Sequence, residues 1–266
     1  MILIASAAYV NPEFLVEFGR IPPAFLPLGN RRLFERQVRT LQHSFPLEGI
    51  CLSLPASYNL SPMDVDLLSR LKVKILLSDE SLSLAESLVV AMQQIPTLDE
   101  GLRLLHGDTL FETFPLGWDL IGLAKANADY HWEVETVDFT SELNWAGYFS
   151  FSNPKGFLQE LLASENDFVR AVRNYEKDLH LARINMGKWF DFGHINTYFQ
   201  SRSSVTTERS FNKLLITDGL VYKTGISEKI KAESDWYLKI PKGLRQFCPQ
   251  LIDHGVGETG EPYYVL

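Results

Sequence analysis

The sequence predicts an α/β fold: a mixed, mostly parallel sheet flanked by helices, followed by a small α+β segment. Three observations predict it. Short apolar runs alternate with helix-spaced segments over roughly the first 110 residues, and strands separated by helices pair in parallel through right-handed crossovers. Two strand-like runs, 130–137 and 145–152, follow with no helix between them, so the sheet becomes mixed. A Ser/Thr/Arg-rich stretch, Ser201–Glu208, then precedes a hairpin signal. It places a boundary, giving expected units of 1–204 and 205–266.

Taken in order, Ile2–Ala5 is a short apolar first strand. Leu33, Val38 and Leu41 carry helical spacing. Ile50–Leu54 is a strand that stops at Pro55. Ser61 with Pro62 reads as an N-cap and first-turn proline, opening a helix through Leu71. Val73–Leu77 is the third strand, Ser83–Gln94 a helix and Leu102–Leu105 the fourth strand. Beyond the two mixed strands, Asn153 caps a helix over 154–162, and a second helix covers about 167–175. The run 178–185 returns to the sheet, and 196–201 is a short helix. In the tail, Lys213–Ile216 and Leu220–Lys223 flank Asp218-Gly219, a strong hairpin signal. Ser227 then caps a helix to Leu238, with Ile230, Trp236 and Leu238 expected on its packed face.

Composition narrows the function. The 266 residues carry 33 acids against 25 bases, a net charge of −8, with no basic run. That disfavours a nucleic-acid partner, which needs a concentrated positive surface. No apolar run approaches the roughly 20 residues that span a bilayer, so no membrane span is expected. The two cysteines, Cys51 and Cys248, fit neither a disulfide framework nor a metal site, and a cytoplasmic location is the expectation.

Two acidic residues stand out. Leu102–His106 leads to Gly107-Asp108, and Leu181–Asn185 leads towards Asp191 in Trp189-Phe190-Asp191-Phe192-Gly193. Ligands of open α/β sheets collect at the carboxyl ends of strands. Two carboxylates delivered there would share one hard divalent cation bridging to phosphate. Read alone, both are also ordinary strand-end turns, where Gly and Asp are common.

Five segments in order resemble the sugar-phosphate nucleotidyltransferases, a family with a Rossmann-like, GT-A-like sheet. They are Pro22–Asn30, Leu77–Glu80 with Ala85–Leu88, Leu105–Asp108, Trp145–Phe149, and Trp189-x-Asp191-x-Gly193. The resemblance implies a nucleotide and a sugar phosphate as small-molecule partners, and suspected Mg²⁺ on Asp108 and Asp191 as metal ligands and catalytic residues. It implies sugar-side or base-side contacts at Gly107, Gly147, Trp189, Gly193 and Ser87, and a nucleotide loop at Ala5, Ser6 and Ala7. The implied role is nucleotidyl transfer to a sugar 1-phosphate for cell-surface polysaccharide synthesis. Two departures weaken it. The family's glycine-rich phosphate loop here reads Ala5–Tyr9, with no glycine before Gly19, and Pro23 stands where the family has a lysine. Arg20, Arg31 and Arg32 are the nearby cations that would substitute. The alternative is a catalytically inactive nucleotide- or sugar-phosphate-binding scaffold or regulatory domain. A metal-dependent GT-A glycosyltransferase is a weaker third reading.

The tail, from Arg209 onward, is similar to the start of an aminoglycoside- or choline-kinase-like small lobe, incomplete within this sequence. The likeness implies that Lys223 and Glu233 form the strand-lysine, helix-glutamate pair of that fold. It also implies that 205–266 leads into a longer two-domain protein, and that apolar surface there favours a homodimer.

Overall fold

The computed structural model describes all residues except 97, 99, 127–131, 138–140, 207–212, 218–219, 226–227 and 258–259, and not the side chains of 137, 141, 206, 213 and 215–217. Tyr130, His131, the Asp218-Gly219 turn and the Ser227 cap therefore lie outside the described residues. The chain divides into two compact units, Met1–Tyr198 and Phe199–Leu266.

In the first unit, β1 (Ile2–Ala5) leads through short helix α1 (Leu15–Phe18) and a small hairpin, β2 (Pro27–Leu28) and β3 (Arg31–Arg32), into α2 (Leu33–Ser44). Then come β4 (Ile50–Pro55), α3 (Pro62–Arg70), β5 (Val73–Ser78), α4 (Leu84–Gln93), β6 (Leu102–His106), β7 (Thr109–Phe111) and β8 (Leu120–Ala124). The unit continues with β9 (Val134–Val137), β10 (Ser141–Phe151), α5 (Pro154–Ala163), α6 (Phe168–Asp178), β11 (Ala182–Asn185) and β12 (Trp189–Asp191). The division between units falls within α7 (Ile195–Thr206). The central sheet runs β11-β8-β10-β6-β1-β4-β5, with β9 added on β10. β1 pairs in parallel with β4 and β6, and β4 with β5. β10 inserts antiparallel between β6 and β8, which makes the sheet mixed as the sequence implies.

Strand alternation sorts the core into two layers. Leu3, Cys51 and Leu104 face α4, α5 and α6 through Leu88, Phe157 and Phe168. Ile2, Ile4, Leu52 and Leu105 face α2 and α3 through Phe34, Val38, Leu41 and Leu68. The caps follow the sequence: Ser61 Oγ accepts from Asp64 N at 3.1 Å and Asn153 Oδ1 from Gly156 N at 3.0 Å.

Some expectations change. β8, sequence Leu-Ile-Gly-Leu-Ala, is a strand beyond those the sequence predicts; its Gly122 sits where a Cβ would lie 3.0 Å from the Met186 side chain. The strand expected over 178–185 begins only at Ala182, because Asp178 still belongs to α6. The expected linker Ser201–Glu208 is helical as far as Thr206. There Ser203 and Ser204 donate their hydroxyls back to the Gln200 carbonyl, at 2.8 and 3.1 Å, and so remain compatible with a helix.

The second unit is a four-stranded antiparallel sheet with one main helix. β13 (Lys213–Thr217), β14 (Leu220–Thr224), β15 (Asp253–Val256) and β16 (Pro262–Val265) order as β13-β14-β16-β15, and α8 (Glu228–Lys239) packs against β16. Ile230 is fully buried, but Trp236 and Leu238 are exposed, correcting the expected packed face. Ser234, one turn after Ile230, takes the inward position instead.

Candidate functional site

Asp108 sits in the turn between β6 and β7. β7 pairs antiparallel with β12, placing Asp191 opposite Thr109. Phe192 N donates to the Asp108 carbonyl at 2.8 Å, locking the two turns together. Asp191 is thus carried by a two-stranded ribbon beside the central sheet, not by the carboxyl end of one of its strands. Gly193 shows how close the acids are. A Cβ there would lie 2.9 Å from Asp108 Oδ2 and 3.2 Å from Asp191 Oδ1, so both carboxylates flank one point in space.

The turn is held from beneath by Gln37, a fully buried residue of α2. Its Nε2 donates to the carbonyls of His106, Gly107 and Thr109 at 3.2, 3.1 and 2.7 Å. Gly107 is required for close approach: a Cβ would lie 2.8 Å from the Ala5 carbonyl, and its own N–H donates to that carbonyl at 2.8 Å. Ser6 anchors the loop after β1, its N–H donating to Ser53 Oγ at 3.1 Å and its Oγ accepting from Ala24 N at 3.0 Å.

These elements enclose a cavity of about 180 Å³ lined by Ala5, Ser6, Ala7, Ala8, Pro23, Leu82, Leu84, Ser87, His106, Gly107 and Asp108. Ser87 lines it with its hydroxyl already donated to the Leu84 carbonyl at 2.9 Å. Gly147, at a positive φ of 79°, and Trp189 gather instead at Thr109. A Gly147 Cβ would lie 3.1 Å from Thr109 Oγ1, and Trp189 Nε1 donates to that oxygen at 3.4 Å.

The electrostatics follow from enclosure. Burial, then the Asp191 carboxylate, pushes Asp108 up to about 7. Burial likewise raises Asp191, whose Oδ2 is buried without a hydrogen-bond partner. Burial lowers His106 to about 4, so its imidazole is neutral at pH 7, packed 5.0 Å from the Trp132 ring centroid. Two crowded carboxylates and one orphaned oxygen fit a divalent cation, which would remove their repulsion. Among the described residues no group of three or more His, Cys, Asp or Glu offers a fuller metal cage.

The three candidate replacement arginines are engaged elsewhere. Arg31 pairs with Glu35 at 2.7 Å and Arg32 with Asp64 at 3.6 Å, beside a different cavity of about 510 Å³. Arg20 pairs with Glu80 and lies 4.1 Å from the Tyr9 ring centroid. Glu80 also accepts from Ser57 Oγ, and the Ser57 hydroxyl and the Arg20 guanidinium hold its carboxyl below its ordinary value. Two residues escaped the sequence reading. Asn11 Nδ2 donates to the Gly193 carbonyl at 3.1 Å, and Glu13 Oε1 accepts from Ile195 N at 2.9 Å, 3.6 Å from His194 Nδ1. Asn11-Pro12 signals a local turn, but nothing local announces partners 182 residues away.

No family model matches the sequence, and no curated protein does. Solved structures do. A nucleoside-diphosphate-sugar pyrophosphorylase from Vibrio cholerae RC9 superposes with a TM-score of 0.61 at 14% identity, over 76% of this chain and 99% of its own. The fold is that of the sugar-phosphate nucleotidyltransferases. A UDP-glucose pyrophosphorylase from Acinetobacter baumannii gives 0.60 at 15% identity, over 78% of this chain and 93% of its own. An inositol-1-phosphate CTP transferase from T. maritima gives 0.55 at 14%, over 78% and 96%.

The predicted pair Lys223 and Glu233 lies in the second unit. Lys223 Nζ donates to Glu233 Oε2, which also accepts from Tyr264 Oη at 2.9 Å. Burial opposes ionisation of Glu233, but these two donors outweigh it and hold the carboxyl below its ordinary value. No helix among the described residues is long and apolar enough to cross a membrane.

Proposed function

We propose that the first unit binds a nucleotide or sugar phosphate through Mg²⁺ held by Asp108 and Asp191, and transfers a nucleotidyl group to a sugar 1-phosphate slowly, in the service of surface-polysaccharide synthesis. The observation that carries it is the pair of carboxylates flanking Gly193, one of which, Asp108, lines a cavity walled by the loop after β1. Mg²⁺ there would neutralise the pair and polarise a phosphoryl oxygen. Gln37 fixes the turn carrying Asp108, the β7–β12 ribbon fixes Asp191, and the Ser6 anchor shapes the wall. Nucleotidyl transfer is mostly positioning and charge stabilisation. Pro23 contributes neither charge nor N–H, and each missing stabilising group costs about 10²–10³ in rate.

That loss favours a second reading, a binding or regulatory domain without turnover. Pyrophosphate release over a panel of triphosphates and sugar 1-phosphates separates the two. Slow, Mg²⁺-dependent release abolished in Asp191→Asn supports transfer. Ligand-induced stabilisation without release supports the binding domain. Rapid turnover overturns the weakened-site argument. In the second unit, we propose that the Lys223–Glu233–Tyr264 contact is the phosphate-orienting pair of a kinase-like small lobe. Its support is that one carboxylate takes both donors.

A further inference from the structure

Five large apolar side chains that reach solvent, Trp236, Leu238, Leu244, Phe247 and Ile252, fall within residues 236–252 of the second unit. Phe247 is 76% exposed and Trp236 56%. The same stretch carries Lys239, Lys242 and Arg245 and no acid, in a chain whose net charge is −8. Among the described residues, none of these three cations pairs with a carboxylate. Local structure sorts the two kinds of side chain. Lys242–Phe247 is a 3₁₀ helix entered at Pro241, held by Leu244 N on the Pro241 carbonyl at 2.9 Å and Cys248 N on the Arg245 carbonyl at 3.2 Å. With three residues per turn, side chains three apart eclipse, so Leu244 and Phe247 form one row and Lys242 and Arg245 the row beside it. In the last turn of α8, Trp236 and Lys239 are likewise neighbours three apart. Leu238, Ile240, Arg245 and Leu251 line one cavity of about 450 Å³, which joins the end of α8 to the 3₁₀ helix.

An exposed apolar row of this size marks a surface that something covers. The charge pattern indicates what. Protein–protein interfaces are depleted in lysine. A bilayer surface instead takes Trp, Phe and Leu at the boundary of headgroups and acyl chains, and lets Lys and Arg reach the phosphates on their apolar stems. We propose that 236–252 seats the second unit on a lipid bilayer carrying anionic headgroups, with Trp236, Leu244 and Phe247 entering the interface and Lys239, Lys242 and Arg245 meeting the phosphates. The contact lies on the bilayer and does not cross it. It does not rest on the nucleotidyl-transfer reading, which concerns the other unit.

The test is co-sedimentation of the full chain with vesicles of phosphatidylcholine alone and of an equimolar phosphatidylcholine–phosphatidylglycerol mixture, at low and high salt. Each cation near an anionic surface strengthens binding about fivefold, so the mixed vesicles should bind on the order of a hundredfold more tightly. High salt should remove most of that gain. Lys239→Glu combined with Lys242→Glu should abolish the preference, and Phe247→Ser should weaken binding to both vesicle types. Trp236 emission should shift to the blue on the mixed vesicles, and Trp236→Phe should lose the shift while still binding. All four positions are exposed, so the variants should melt as the parent does. Equal binding to the two vesicle types, no binding to either, or a preference unchanged in the double variant overturns the proposal. So does a dimer in sedimentation velocity that Phe247→Ser converts to a monomer, since a second copy would then be the occupant.

Discussion

Replacing Asp108 by asparagine should make the metal-free protein more stable at neutral pH, with a pH dependence that identifies the cause. The folded carboxyl titrates at about 7 against an ordinary value of 3.8. Below pH 3.8 it is protonated in both folded and unfolded chains. As pH rises, the unfolded chain ionises first, so stability falls steadily and the loss is complete only above 7. At about 1.4 kcal/mol per unit, the ceiling is about 4 kcal/mol; partial exposure at the cavity mouth halves it to about 2. Roughly two-thirds of that change lies between pH 5 and pH 8, about 1 kcal/mol, or about 2–4 °C in Tm for a unit of this size. The assay is thermal unfolding of both proteins in chelator at the two pH values. The asparagine side chain cannot ionise, so the variant should gain about 1 kcal/mol on the parent between pH 5 and pH 8. Contributions from His106 and other groups cancel in the difference. Mg²⁺ should then restore the parent at pH 8 and leave the variant unmoved. A difference that stays constant with pH, or a variant that loses ground at pH 8, refutes the crowded-carboxylate argument.

Three further outcomes are expected. Gly107→Ala presses a methyl against the Ala5 carbonyl, a backbone atom that cannot rotate away, and should cost about 1–3 kcal/mol in urea unfolding; a neutral result would mean the loop after β1 yields easily. Ser83→Ala removes half of the α4 cap and should cost about 1 kcal/mol, with faster amide exchange confined to the first turn of α4. His106 should remain neutral from pH 7 down to about 5, because burial holds it near 4. Its stability contribution is present above the ordinary 6.5 and is lost as pH falls towards 4, and an imidazole NMR titration midpoint near 6.5 would contradict this.

The parallel half of the sheet was legible because β1, β4, β5 and β6 are apolar runs separated by helices with clear periodicity and caps. β8 was not, because its glycine interrupts the strand signal, and what makes that glycine tolerable is Met186, a residue distant in sequence. The full length of α7 is hidden because Ser and Thr read as loop formers, whereas two of these serines bond back into the helix. At the site, both acids and several residues lining the cavity could be named from sequence. The ribbon that brings Asp191 to Asp108 could not, since each of its strands has only three residues. The glutamates that answer the nearby cations were equally hidden, because a charge pair spanning 60 residues leaves no local trace.

Gln37 ties one amide group to three carbonyls of the Asp108 turn, and it does so from a helix whose other inward residues, Phe34, Val38 and Leu41, are ordinary core. The helix and the turn therefore move as one body. A methylene lost beneath α2 tilts Gln37 and is transmitted to Asp108 with little attenuation, since close-packed interiors convey strain instead of absorbing it. Conservative changes such as Val38→Ala, far from any ligand, should thus register as altered Mg²⁺ affinity before they register as unfolding. In this chain the geometry of the turn that carries Asp108 is written partly into the hydrophobic face of a helix.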